Sequence, residues 1–293
     1  MSRPPYPVEL VPLLPRFLSG KRLPADWMQR AAEEHGIDRP AVLIALQVER
    51  GGERGIEERR LSSVYSTRPG SVTPALGAAE SAGLIARGGR GWQATEQGRE
   101  LASRLRHASF AHLGSLDAGP EPEVRAVAAL LERAFQACAA APEPATKRRT
   151  ELGKGFRGGL TAPNALAALD QAVYGLWMFR DDCHIAAWQA AGLEGPALDV
   201  LTRIWRDRPA SLEELVPQLV QQGPADVAAA VDRLRAGGLV APDRLEVTAR
   251  GASLREGIES ETDRLFFTPW PDEAAAGAAR LKEGLERAIA AVS

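Results

Sequence analysis

Apolar residues recur three and four positions apart through RPAVLIALQVER (39–50), the spacing that puts one stripe on the face of a helix. EERRLSSVY follows, TRPGS supplies the Pro and Gly that break the pattern, and a second short helix is predicted through VTPALGAAESAGL, closed at Gly83. The period then shortens. LIA and GWQA flank ARGGRG, whose glycines permit a tight turn, so a small β-hairpin is predicted between two helices. TEQGRELASRLR returns to helical spacing, with Thr95 placed to cap it.

The same succession is written twice. HGIDRPAVLIAL (35–46) is echoed by AGLEGPALDVLT (191–202), with Gly36 over Gly192 and Pro40 over Pro196. LIARGGRGWQATEQGREL (84–101) is echoed by LVAPDRLEVTARGASL (239–254), which sets Thr95 over Thr248, Gly98 over Gly251 and Leu101 over Leu254. LERA recurs at 131–134 and 285–288. The second copy supplies SLEELVPQL, ADVAAAVDRLRAGGL, the loop APDR and VTARGASLREGIES. The expected organisation is one unit at 8–141, a linker at 142–163 and a second unit at 164–293. The expected fold class is mainly α with small β-hairpin wings: two tandem winged helix-turn-helix units packed as a pseudo-twofold pair through their terminal helices. Apolar faces at Leu10, Leu13 and Phe17, matched by Leu166, Leu169 and Val173, call for such packing.

Composition narrows the class of protein. At 293 residues, 45% hydrophobic and 25% charged, the chain suits two globular domains. No apolar run approaches the ~20 residues of a membrane span, and MSRPPYPVEL is not a signal peptide, so no membrane partner and a cytoplasmic location are expected. Cys138 and Cys183 are too few and too far apart for a disulfide framework and read as core residues. The linker, rich in Pro, Gly and basic residues, contains GKGFRGG, which lacks the spacing of a phosphate loop. No cofactor and no metal are expected. Charge is uneven: residues 1–110 hold 16 Lys and Arg against 12 Asp and Glu, whereas residues 181–293 hold 12 against 19. The two ends therefore face different partners.

The passage from AGLI across a short basic wing into ATEQGREL resembles the MarR class of winged-helix regulators. Its second copy carries the same signature. MarR-like proteins are generally homodimers with intertwined terminal helices, and the resemblance implies such a dimer fused into one chain, a monomer acting as an internal pseudo-dimer. The second copy also resembles an uncharacterised actinobacterial helix-turn-helix family through HIAAWQAAGL (184–193) and ESETDRLFFTPW (259–270). That second likeness implies fold more than function.

A helix-turn-helix reads DNA with its second helix in the major groove. Here that helix offers only Ser71, Thr73 and Ser81 as hydrogen-bonding side chains, with Arg68 just before it, Arg59 and Arg60 ahead of the turn, and Arg87 and Arg90 on the wing. DNA is thus the expected partner of the N-terminal copy, or else these arginines are solvated surface charge. The second copy places Asp226 and Asp232 on its equivalent helix and Asp243 beside Arg244 on its wing, where carboxylates repel phosphates. A small aromatic or apolar ligand is the other expected partner. Trp177, Asp181, His184 and Trp188 share one helical face in YGLWMFRDDCHIAAW, and Trp205, Trp270 and Phe179 can complete a slot. The same indoles also suit an ordinary core. No nucleophile has a visible base, and consecutive Asp181, Asp182, Cys183 and His184 point around a helix rather than at a metal, so catalysis ranks last. Two readings remain: a regulator that binds DNA through its N-terminal copy and responds to the ligand, or a ligand-sequestering or self-resistance protein on a scaffold that has lost DNA reading.

Overall fold

A computed structural model describes residues 6–68, 70–89, 91–157 and 161–293, and its elements are mainly helical. The chain forms two compact units. The first comprises Met1–Leu61, Val72–Asp182 and Asp263–Ser293, and the second Ser62–Ser71 with Cys183–Thr262.

In the first unit, α1 (Leu13–Leu18) and α2 (Trp27–His35) precede α3 (Arg39–Glu49). Asp38 starts α3 by accepting from the Ala41 N–H at 2.9 Å, with Pro40 in the first turn where no donor is missed. A 3-10 turn at Glu58–Arg60 leads towards α4 (Thr73–Ser81), followed by β1 (Ile85–Gly88), β2 (Gly91–Ala94) and α5 (Glu96–Gly114). The strands pair antiparallel, Ile85 opposite Ala94 and Arg87 opposite Trp92. Ile56 adds a third strand position by bridging to Trp92. Their inner faces meet in one core: Val42, Ala45 and Leu46 of α3, Leu76 and Ala79 of α4, Ile85 and Trp92 of the hairpin, Leu101 of α5.

The rest of the first unit is a helical layer: α6 (Glu121–Ala140), α7 (Arg148–Arg157), the start of α8 (Ala165–Ala190), α13 (Asp272–Ala276) and α14 (Ala278–Val292). Helix α14 packs on α1 and α6; Leu281, Leu285 and Val292 of α14, Leu13 and Phe17 of α1, and Val127 and Leu131 of α6 are all buried. Gly284 makes the approach possible, since a Cβ there would stand 2.6 Å from Val127 Cγ2. Residues 142–163, expected as linker, contain α7. Asp182 caps it, accepting from the N–H groups of Arg149 at 3.0 Å and Thr150 at 2.8 Å. A Cβ at Gly155 would lie 2.3 Å from the Arg50 carbonyl oxygen, so this glycine serves close packing.

The second unit holds the end of α8, α9 (Gly195–Asp207), α10 (Leu212–Leu215), α11 (Pro224–Ala236) and most of α12 (Ala249–Phe267). Val200, Leu201, Ile204, Val227, Val231 and Leu234 form its core. The wing expected here is reduced to one bridge, Val240 to Val247, with Ala241 N–H donating to Glu246 O at 2.8 Å.

The echoed residues adopt the same local geometry in both units. Thr95 Oγ1 accepts from Gly98 N–H and Thr248 Oγ1 from Gly251 N–H, each at 3.1 Å. Those hydroxyls also donate back to Gly83 O and Gly238 O, and both glycines sit at positive φ, 72° and 67°. A Cβ at Gly98 or Gly251 would meet the Leu84 or Leu239 carbonyl oxygen at 2.0 or 2.2 Å. The Thr-x-x-Gly spacing therefore fixes both the cap and the closeness of helix to wing.

Candidate nucleic-acid interface

On the first head, the outward side of α4 carries Thr73, Pro74, Gly77, Glu80 and Ser81, all exposed. Thr73 Oγ1 donates to Glu58 Oε1 at 2.7 Å, which occupies the one hydroxyl best placed at the start of the helix. Arg59 Nε stands 2.5 Å from Glu57 Oε2 and Arg60 Nη2 3.6 Å from Glu57 Oε1. The hydrogen bond from Arg59 holds the Glu57 carboxyl below the ordinary glutamate range. Exposed pairs of this kind are weakly held, so both guanidiniums can exchange Glu57 for a phosphate. Arg87 lies over the Trp92 ring, 4.2 Å from its centroid, and is exposed on the wing. Arg90 lies outside the described residues.

One basic residue escaped sequence reasoning. Arg54, in the turn Gly52–Arg54 that packs on β2, is exposed and has no partner among the described residues. Its signal was the run GGERG, whose Gly52 and Gly55 take positive φ of 59° and 70° and turn the chain beside the wing.

Arg68 and Ser71 belong to the second unit. A helix-turn-helix turn ordinarily spans about 3–4 residues, but here Leu61 is separated from Val72 by the whole of Ser62–Ser71. That segment seats on the start of α11. The N-cap of α11 is Gly223, which has no capping side chain, and Thr67 takes its place: Gly223 N–H donates to Thr67 Oγ1 at 3.1 Å, and Thr67 Oγ1 donates to Asp226 Oδ2 at 2.6 Å. Thr67 N–H donates to Gln221 O at 3.2 Å, Ser66 Oγ to the same oxygen at 3.1 Å, and Arg68 Nη2 to Gln222 O at 3.2 Å. The end of α11 that a reading helix presents to DNA is thereby covered. On the reduced wing, Arg244 is paired with Glu246 and lies 4.0 Å from Asp243, and Asp232 pairs with Arg235 at 3.6 Å on α11.

The ligand candidates fall in different settings. Trp177 is half-buried on the part of α8 within the first unit. Asp181, also there, has its carboxylate 3.7 Å from Arg149 Nε, and burial pushes its pKa up. In the second unit His184 Nδ1 stands 3.2 Å from Thr262 Oγ1 and 3.9 Å from Glu259 Oε1. Trp188 is packed with Ala187, Leu198 and Ile258, and its buried indole N–H has no acceptor among the described residues. Trp205, by contrast, is 41% exposed, with the Arg255 guanidinium 5.7 Å from its ring centroid. Among the described residues no helix is long and apolar enough to cross a membrane, and no group of His, Cys, Asp and Glu is placed to hold a metal.

Compared with known families, residues 59–293 match a helix-turn-helix family. No curated protein and no solved structure matches the chain.

Proposed function

Because the chain belongs to a helix-turn-helix family, we propose that it is a DNA-binding regulator of MarR type, a single-chain pseudo-dimer that meets DNA through its N-terminal head and responds to an aromatic or apolar small molecule. The observation that carries this reading is the contrast between the heads. The first leaves Arg54, Arg59, Arg60 and Arg87 exposed around its wing and turn, with Arg90 in the same wing sequence. The second has the start of its reading helix capped by Thr67 and its wing arginine matched by carboxylates. The recurrence of the Thr-x-x-Gly geometry in both units supports the tandem arrangement.

Fluorescence anisotropy with duplexes from upstream of the protein's own reading frame tests it. Binding is expected, with Arg87→Ala and Arg90→Ala weakening all sequences about equally and flattening the salt dependence, since wing arginines mostly meet phosphates. Arg244→Ala is expected to do much less. Equal losses at the two wings would remove the asymmetry from which the proposal is built.

A second reading has its own support. The outward face of α4 offers Thr73, Ser81 and Glu80 but no Arg, Lys, Asn or Gln, a thin set for reading base edges. On a scaffold that sequesters ligand after losing DNA reading, duplex binding would be absent at any salt while ligand binding persisted.

A further inference from the structure

The two heads close the base of the wing differently. In the first, Ile56 and Trp92 exchange both backbone hydrogen bonds at 2.8 Å, and Trp92 is buried. Leu245 stands three residues before Thr248 as Trp92 does before Thr95, and Ala210 stands two residues before α10 as Ile56 does before the turn Glu58–Arg60. These counterparts form no bridge. The Ala210 N–H is committed to Glu214 Oε2 at 2.8 Å, and Pro209 has no N–H to offer. Between them lies an open cleft of about 540 Å³, wholly within the second unit. Clefts of roughly 300–1,000 Å³ are the size that takes small molecules.

Its lining combines apolar surface from Ile204, Leu245 and Val247 with the exposed indole of Trp205 and the guanidinium-bearing Arg208 and Arg244. Arg208 is the informative residue. It ends α9 at φ 48°, ψ 53°, and is the one non-glycine residue at positive φ among the described residues. Helix ends of this shape ordinarily use Gly or Asn, because a larger side chain is strained there. Nearby cations are matched: Arg206 by Asp207, Arg244 by Glu246, Arg255 by Glu259. Arg208 has no carboxylate partner among the described residues, so a strained position holds an unmatched cation beside an exposed indole.

We propose that this cleft binds a flat aromatic ring bearing an anionic group, the ring against Trp205 and the anion on Arg208. It deepens the ligand-response half of the function proposed above, resting on that reading for its purpose but not on DNA binding for its existence. Stacking on an indole supplies the ring's affinity, and a guanidinium pairs an anion in a fixed fork.

Calorimetric titration of the full chain with naphthoate, and with naphthylmethanol as neutral counterpart, provides the test. Saturable binding of naphthoate is expected, with the alcohol about tenfold weaker or more. Trp205→Ala should weaken naphthoate by a similar factor. Arg208→Gly should raise the melting temperature, by relieving the positive φ, while weakening naphthoate about tenfold. Absence of saturable binding, equal affinity for the alcohol, or wild-type affinity in Trp205→Ala or Arg208→Gly would overturn the proposal. Anisotropy with duplex DNA on the same proteins separates the two claims: loss of DNA binding alone sinks the regulator and leaves the cleft standing.

Discussion

At the scale of single residues, Asp182 shows how a buried carboxylate can organise a segment that composition describes as a linker. It is 3% exposed and accepts from two backbone N–H groups and from the Thr150 hydroxyl at 2.8 Å. Asp182→Ala strands these donors, and since an unmet buried donor costs about 1–3 kcal/mol, a loss of about 2–3 kcal/mol in chemical denaturation is expected. Burial pushes the Asp182 carboxyl above the ordinary aspartate value despite those donors and Arg149. The folded chain therefore holds this proton more tightly than the unfolded chain. Its contribution to stability is fully present below the unfolded-state pKa and is lost as pH rises through the raised one. Wild type should accordingly lose more stability than Asp182→Asn between acid and neutral pH, and parallel curves would contradict this. The difference between what could and could not be read from sequence is one of reach. Thr95 and Gly98 are three residues apart and announce a helix start, whereas Asp182 caps α7 from 33 residues away, and no local pattern encodes that distance.

At the scale of elements, α4 carries a glycine with no packing reason to be one. A Cβ at Gly77 would meet nothing within 4 Å, and a helical Gly is about 0.8–1 kcal/mol worse than Ala. Gly77→Ala should therefore raise the melting temperature. If α4 lies in a groove, the same methyl should weaken DNA binding; a more stable protein with unchanged affinity would place α4 outside the groove. The helical periods of α3 and α4 and the first hairpin were legible because burial follows the repeat of the apolar positions. The second hairpin was legible only as a tendency. Pro242 removes a donor from its loop, the Ala210 N–H is held by Glu214, and a single bridge remains. Trp188 shows the other limit: periodicity put it on an inward face, and the structure packs it there, but periodicity cannot tell a packed indole from one lining a slot.

At the scale of the whole molecule, the two ends of the chain meet within the first unit. Lys21 N–H donates to Val292 O at 2.6 Å, and Gly20 lies so close to Val292 that a Cβ would stand 2.3 Å from Cγ2. Removing residues 278–293 takes away the buried Leu281, Leu285, Ile289 and Val292 along with the packing of α14 on α1 and α6, each such side chain being worth about 1.5–3 kcal/mol when buried. Their sum is comparable to the ~5–15 kcal/mol by which a domain is stable. The truncated chain should lose its cooperative thermal transition by circular dichroism; a transition retained at the wild-type temperature would show that the unit stands without α14. The apolar faces of these terminal helices were legible, and packing through terminal helices was expected; the particular pairing of α1 with α14 was not, because pairing across the length of the chain leaves no mark on spacing. The same separation governs how the molecule is made. Thr67 and its acceptor Asp226 are 159 residues apart, and ribosomes add roughly 5–20 residues each second. On every nascent chain, Ser62–Ser71 therefore waits for seconds to tens of seconds with its hydroxyls in water before the helix it caps has been translated. A fragment beginning at Cys183 would never receive that cap at all.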